Sequence, residues 1–213
     1  GRGLAALARL HRETRDIGPE LSRQTIALTE GDTTSRRFLP GFAQPGAVRL
    51  FDHIWPELAE AFETLDAKGM DVIVDAGRLG REGLPVALLE VADAIGFVLQ
   101  SSLKSLAASR LYLPLLAEQV STLPADRPLG LMLVGPDRPY SVREITAQFG
   151  IDCWARIPWD PKPAGVLSHG LTPPRRFNNS PLLGSYRVAA LHLTQRLERA
   201  RALRRELLQG GAP

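Results

Sequence analysis

The residue best suited to chemistry in this sequence is Asp75, which ends the short apolar run Val72-Ile73-Val74. Ligands of a parallel sheet bind beyond the carboxyl ends of its strands, where a rigidly held carboxylate can bind Mg²⁺ directly or through water. Gly77 follows two residues later, and a glycine there lets the backbone approach a phosphate. The alternative is that Asp75 only caps the following loop or helix, and the strand pattern alone favours neither interpretation.

The elements that would position Asp75 alternate between apolar runs and amphipathic stretches. This βαβα order predicts an α/β fold with a mostly parallel sheet that carries helices on both faces. The predicted strands are 71–75, 94–99, 129–134 and 151–157, with short strands at 25–28 and 37–40 in an irregular region, 12–50. Four helices are predicted at 4–10, 54–65 (ended by Gly69), 85–92 and 182–208. A fifth begins at a cap, Ser101 or Ser102, and runs through Leu115. A sixth begins at the capping box Ser141–Glu144 and is ended by Gly150.

The length of 213 residues and the 44% hydrophobic content suit a single domain, residues 1–213. Within it we expect an irregular part at 1–50, a core at 51–181 and a basic C-terminal helix at 182–213. No apolar run approaches the ~20 residues that span a membrane, and the N-terminus shows no signal-peptide pattern. The single cysteine excludes a disulfide framework within the chain. We therefore expect a cytoplasmic protein.

The order of the later segments resembles the second half of ParA/MinD-type ATPases, and is most similar to MinD-like proteins of actinobacteria. The resemblance covers roughly residues 50–195, and its most specific pieces are the DVIVDAGRLG segment (71–80) and the IPWD segment (157–160). It implies the P-loop NTPase fold, a Rossmann-like three-layer sandwich.

On the phosphate side, the resemblance assigns the magnesium-binding Walker B role to Asp75. It assigns sensing of the γ-phosphate to the following loop, at Gly77 and Arg78. No other metal ligand is expected, because the four histidines are scattered along the chain.

On the base side, the resemblance places the nucleotide base against Pro158, Trp159 and Asp160. The turn after the preceding strand, with Pro136, also approaches the base. That turn lacks the asparagine common in the family, which bears on selectivity for adenine.

The phosphate-binding loop of the family has no counterpart in the sequence. Neither Gly-x-x-x-x-Gly-Lys-Ser/Thr nor KGGxGKT occurs, and Lys68 is the first lysine. We therefore expect the first strand and the phosphate loop to be absent from this chain, either because it is part of a longer ATPase or because it is a degenerate relative. ATP and Mg²⁺ are then cofactors of the complete protein, and ATPase activity requires a Walker A loop from outside the sequence.

The C-terminal helix combines an apolar stripe with many arginines over residues 193–208. One interpretation is a terminal helix docked on the sheet with a solvated arginine face. The alternatives are contact with an anionic membrane surface, with DNA or with a partner protein. A homodimer or a partner protein is the expected assembly, with peripheral membrane location if the helix binds lipid.

Four further features have structural interpretations. We expect Cys153 to be a buried structural thiol and both Trp154 and Trp159 to pack in the core. We expect Glu57, with Glu60 and Glu63, to lie on a solvated helix face.

Together these features predict a ParA/MinD-like spatial regulator or assembly factor that acts through nucleotide-dependent dimerisation in its complete form. The alternative is a non-catalytic pseudo-ATPase adaptor that uses the same fold as a protein-binding platform.

The first prediction concerns nucleotide affinity. Because the sequence has no phosphate loop, we expect ATP hydrolysis by this chain to be absent or very weak, and Mg·ATP to bind more weakly than micromolar. Isothermal titration calorimetry with Mg·ATP measures the affinity, and a micromolar dissociation constant would contradict the prediction.

Overall fold

A computed structural model describes residues 2–14, 17–28, 36–42, 51–135 and 138–210, with only the helical backbone at 14, 200 and 203–210. The chain forms two compact units. The first comprises Gly1–Arg78 and Leu84–Val91, and the second comprises Leu79–Gly83 and Ala92–Pro213. Pro136 lies outside the described residues.

Most of the described elements follow the predicted order, with the exceptions of the segment 71–75 and the helix after the last strand. In chain order they are α1 (Leu4–Thr14), α2 (Gly18–Leu21), β1 (Ile26–Ala27), β2 (Arg37–Phe38), α3 (Trp55–Ala67), α4 (Val86–Val91), β3 (Ile95–Gln100), α5 (Leu103–Ser121), β4 (Leu129–Val134), α6 (Val142–Phe149), β5 (Cys153–Ile157), α7 (Pro161–His169) and α8 (Pro181–Gly210).

The first unit is built on apolar side chains from α1, α2, α3 and the segment before α3. Its fully buried members include Leu7, Ile17, Phe51, Ile54 and Leu58. The rings of Phe51 and Trp55 meet edge to face with their centroids 4.7 Å apart, a favourable geometry for aromatic pairs. The short strands β1 and β2 pair antiparallel in this unit.

One polar pair lies at the edge of that core. His11 is buried, and its Nε2 lies 2.7 Å from Oε1 of Glu57. Glu60 and Glu63 are exposed as expected, but Glu57 lies only partly on a solvated face, because its side chain is 35% exposed and is bonded to His11. The helical period places Glu57 beside the buried Leu58, and the histidine of α1 supplies the partner that a partly buried carboxylate needs.

The second unit is built on a parallel sheet with the strand order β3-β4-β5. Ile95 lies opposite Leu129 in one ladder, and Val134 lies opposite Ile157 in the other. Helix α5 joins β3 to β4 and packs against β3, while α8 packs against β5. The fold is therefore the predicted mixed α/β arrangement, with a three-stranded parallel sheet flanked by helices.

The helix caps read from the sequence are confirmed. The Ser102 side chain accepts a hydrogen bond from the Ser105 N–H at the start of α5. At the start of α6, the Ser141 hydroxyl accepts from the Glu144 N–H, and the Glu144 carboxylate accepts from the Ser141 N–H. Gly150 then ends α6 in the left-handed conformation.

The predicted buried strand 71–75 is wrong. The segment has no regular secondary structure, and its residues are exposed, with Ile73 95% exposed. A strand is held by hydrogen bonds to a neighbouring strand, and among the described residues no strand pairs with this segment. Its apolar sequence alone therefore does not produce a strand here.

The sequence between the predicted strand 151–157 and the predicted helix 182–208 is rich in proline and glycine and predicts a loop, but this segment contains the helix α7. Pro161 lies in the first turn, where proline costs no helix hydrogen bond and its backbone angle already suits a helix. Gly170 ends the helix in the left-handed conformation, so the two residue types read as loop signals mark the two ends of a helix.

The C-terminal helix α8 is docked on the sheet. Leu182 is buried in a cluster with Ala155 and Ile157 of β5. The guanidinium of Arg196 lies 5.3 Å from the centre of the Trp154 ring, and Arg201 bonds Asp93 at 2.8 Å. Part of the arginine face thus has partners within the unit. No helix in the described part of the chain is long and apolar enough to cross a membrane.

The second prediction concerns the close contact between β4 and β5. A Cβ at Gly130 would overlap the indole of Trp154, so Gly130→Ala should lower the free energy of unfolding by about 1–3 kcal/mol, as overpacking does. Gly184→Ala in α8 is the matched control, because its added Cβ meets no atom within 4 Å and alanine favours a helix by up to ~1 kcal/mol. Urea denaturation measures both, and equal effects would contradict the prediction.

The third prediction concerns the pH dependence of the α6 cap. The hydrogen bond from the Ser141 backbone, followed by that from the Ser141 side chain, lowers the pKa of Glu144 below its ordinary value of 4.5. A carboxyl group with a lowered pKa stabilises the fold above its unfolded-state pKa, and loses that effect as the pH falls through the folded-state value.

The wild type should therefore lose more stability than Glu144→Gln between neutral pH and a pH below 4.5. Urea denaturation at each pH gives the difference in unfolding free energy between the two proteins. A difference that does not change with pH would show that Glu144 does not act through its charge.

Candidate functional site

The loop that carries Asp75 is held by a local hydrogen bond. Oδ1 of Asp75 accepts the Gly77 N–H at 2.9 Å, which leaves the other carboxylate oxygen for a cation. Gly77 has a φ of 70°, a left-handed conformation that glycine adopts without steric cost. Arg78 follows with an exposed side chain. The carboxylate is thus fixed by its own loop rather than by a strand.

The second group of predicted site residues directly follows β5. Pro158 and Asp160 are half-buried, and Trp159 is 62% exposed. The expectation that Trp159 packs in the core is wrong, whereas Trp154 is 5% exposed and confirms its expected place. The two tryptophans differ because Trp154 lies within a strand under α8, while Trp159 lies beyond the strand end.

Asp160 occupies the N-cap position of α7, yet its side chain makes no capping hydrogen bond. An aspartate in that position usually accepts a backbone N–H of the first turn. Its carboxylate is therefore available to donors from outside the helix, such as the amino or hydroxyl groups of a ligand.

The carboxyl ends of the three parallel strands meet beside this group. The Ser101 N–H after β3 donates to the Val134 carbonyl at 3.1 Å, and the Gly135 N–H after β4 donates to the Ile157 carbonyl at 2.9 Å. Ser101 is buried, and its Oγ lies 3.0 Å from the position of a Cβ on Gly135. Ser101 and Gly135 thus shape the strand ends.

Sequence reasoning missed this role, since it took Ser101 only as one of two candidate caps. The signal was its position: Ser101 directly follows the last residue of β3, where residues of a parallel sheet face its ligand edge. Cys153, expected to be buried, is half-buried, and its thiol donates to the Ala155 carbonyl at 3.3 Å.

The predicted site residues thus form two groups, one in each unit. Asp75, Gly77 and Arg78 belong to the first unit, and residues 158–160 belong to the second. Among the described residues, no group of three or more His, Cys, Asp or Glu side chains is placed to hold a metal ion. A magnesium ion at Asp75 would therefore need further oxygen ligands from water and from a bound phosphate.

Each group by itself offers a contact suited to one part of a magnesium nucleotide. Asp75 offers one oxygen to the ion, and the exposed indole of Trp159 offers a flat apolar surface on which a base can stack. The phosphate side of such a nucleotide would also need a cradle of backbone N–H groups with a lysine, and the sequence contains neither of the phosphate-loop motifs.

Comparison with known proteins identifies similar folds. No family model matches the sequence, and no curated protein is detectably similar to it. Among solved structures, a ParA family ATPase from Chlorobium tepidum TLS is similar with a TM-score of 0.59 and 17% identity, over 91% of this chain and 76% of that chain. The MinD cell division protein of Aquifex aeolicus is similar with a TM-score of 0.56 and 17% identity, over 92% of this chain and 81% of that chain.

These matches extend over nearly the whole chain, so they include elements of each unit. They support the resemblance drawn from the DVIVDAGRLG and IPWD segments at the level of the fold. The chain has the ParA/MinD-type, P-loop NTPase-like α/β fold.

Proposed function

We propose that this chain is the larger part of a ParA/MinD-like spatial regulator or assembly factor and carries one side of its nucleotide site. The observation that supports the proposal best is the exposed Trp159 just beyond the carboxyl end of β5, where an α/β sheet binds its ligand. The similarity of the fold to a ParA family ATPase and to MinD supports it further.

The proposed division of work follows from the side chains. Trp159 stacks on the base, and Asp160 accepts hydrogen bonds from the base or the sugar, since its carboxylate makes no capping bond. Asp75 holds Mg²⁺ through the oxygen that Gly77 leaves free, and Arg78 contacts the phosphates. Pro136 belongs to the same proposal as a neighbour of the base. Magnesium, when bound, neutralises phosphate charge.

Such a protein would exert its regulatory effect by assembling with other molecules rather than by releasing a small-molecule product. The complete protein would pair two subunits around the nucleotide and transmit the bound state to a partner protein, a membrane surface or DNA. The basic helix, with residues 193–208, is the proposed contact for such a surface, and the protein would act in the cytoplasm or at the membrane periphery.

The second candidate is a pseudo-ATPase adaptor, and the observation that favours it is the absence of a phosphate-loop motif from the sequence. The coding sequence directly upstream of Gly1 distinguishes the two functions. A KGGxGKT motif there would support the nucleotide-dependent regulator, and a different sequence there would support the adaptor.

The fourth prediction tests the base side of the site. Because Trp159 is exposed and the sequence has no phosphate-loop motif, millimolar ATP and ADP should quench tryptophan fluorescence to similar extents. Excitation at the red edge of indole absorption avoids absorption by adenine.

Two controls define the result. Inorganic tripolyphosphate should leave the fluorescence unchanged, because it has no base to stack, and Trp159→Phe should remove the response while the buried Trp154 still emits. Equal quenching by tripolyphosphate and ATP, or an unchanged response in Trp159→Phe, would refute the assignment of the base to Trp159.

A further inference from the structure

Helix α5 carries exposed apolar side chains on the face opposite its buried one. The buried face carries Leu106, Ser109, Leu113, Leu116 and Val120. The opposite face carries large apolar side chains in solvent: Leu103 is 62% exposed, Leu111 68% and Leu115 42%. Three exposed leucines on one helix form a surface that favours contact with another apolar surface.

The outer residues follow the spacing of helices that pack on each other. Lys104, Ala107, Leu111, Pro114 and Glu118 succeed one another at intervals of three, four, three and four residues, and all are exposed. Residues with this alternation lie along a single seam of a helix and meet the equivalent seam of a neighbouring helix. Ala108 lies three residues before Leu111 and Leu115 lies four residues after it, so both are next to Leu111 on the helix surface. The seam is therefore broad enough for a second helix to lie on it.

The seam is symmetric in sequence about Leu111. Lys104 lies seven residues before it and Glu118 seven residues after it, while Ala107 and Leu115 lie four residues to either side. The two charged residues therefore have opposite signs at opposite ends of one stripe. Of the two apolar residues at four residues from Leu111, Ala107 has a small side chain and Leu115 a large one.

We propose that α5 is a self-association surface, on which α5 of a second copy packs antiparallel about a two-fold axis at Leu111. In that arrangement Leu111 meets Leu111 of the second copy, and Ala107 of each copy accommodates Leu115 of the other. Lys104 of each copy meets Glu118 of the other, so both ends of the interface carry an ion pair. A parallel arrangement would instead place Lys104 against Lys104 and Glu118 against Glu118.

The charges explain why a second copy is the occupant. A two-fold interface must be complementary to itself, and opposite charges at equal distances from Leu111 meet that requirement in the antiparallel orientation. Exposed ion pairs add little affinity, but they fix the orientation and disfavour other registers. The small side chains Ala107 and Ala108 allow the two helices to approach closely.

The association should be weak and reversible. A single pair of helices buries less area than a standard stable interface, which places the dissociation constant on the order of 100 µM. This surface is separate from the nucleotide site, so the proposal does not depend on the proposed function.

The fifth prediction is measured by sedimentation velocity over about 10 µM to about 1 mM protein. The wild type should shift from monomer to dimer with concentration. Leu111→Glu places two carboxylates together at the two-fold axis and should weaken the dimer at least tenfold. Leu167→Glu on α7 is the matched control, because Leu167 is also an exposed leucine (54% exposed), and it should leave the dimer unchanged.

Charge reversal tests the orientation. Lys104→Glu and Glu118→Lys should each weaken the dimer, since each places like charges together, and the double variant should restore it. The overturning results are a wild type that stays monomeric throughout the range, a double variant no stronger than either single variant, or equal losses in Leu111→Glu and Leu167→Glu.

A cross-link checks the axis in a chain with Cys153→Ser. Leu111→Cys should form a disulfide-linked dimer on mild oxidation much faster than Leu167→Cys. Equal rates for the two variants would overturn the placement of the contact at Leu111. Circular dichroism of each variant confirms that these exposed substitutions leave the helices formed.

Discussion

The ladder of backbone hydrogen bonds through β3, β4 and β5 is the constraint on which the second unit depends. It fixes the register of the three strands, and it continues past their ends through the Ser101 N–H and the Gly135 N–H. The strand ends are therefore held level with each other. Because Trp159 follows β5 by two residues, its exposed position is a consequence of the same ladder.

Packing on the sheet depends on side-chain size as well as on hydrogen bonding. Gly130 has no side chain, and the indole of Trp154 occupies the space above it. Trp154 in turn supports Arg196 of α8 through a cation–π contact, an interaction favoured by the negative face of the ring. A glycine in β4 thus determines how a tryptophan in β5 lies and how the C-terminal helix meets the sheet.

The first unit combines an apolar core with one polar pair at its edge. Its core is apolar, but His11 and Glu57 bring two polar groups to its edge and join α1 to α3 through one 2.7 Å contact. Burial of either group alone would cost more than burial of the pair. The loop of Asp75 belongs to this unit, and there the Gly77 N–H holds the carboxylate.

The sequence by itself determined the features that rest on local physics. The helix caps at Ser102 and Ser141, the succession of β3, β4 and β5 along the chain, and the exposure of Arg196 and Arg199 in α8 were predicted because capping, periodicity and charge act over a few residues. Helix α7 was missed because Pro161 and Gly170 were read as loop signals, although they mark the start and the end of a helix.

Only the tertiary structure decided which residues are covered. The run Val72-Ile73-Val74 has the composition of a buried strand, but a strand also requires a neighbour, and no described strand pairs with it. The sequence indicated that Glu57 is solvated, but His11 of α1 contacts it. The sequence also indicated that Trp159 is buried, but the strand β5 ends before it and its side chain is exposed. The outer seam of α5 likewise became visible only when the buried face of that helix was known. Pairing and burial join residues far apart in the chain, so local sequence patterns do not specify them.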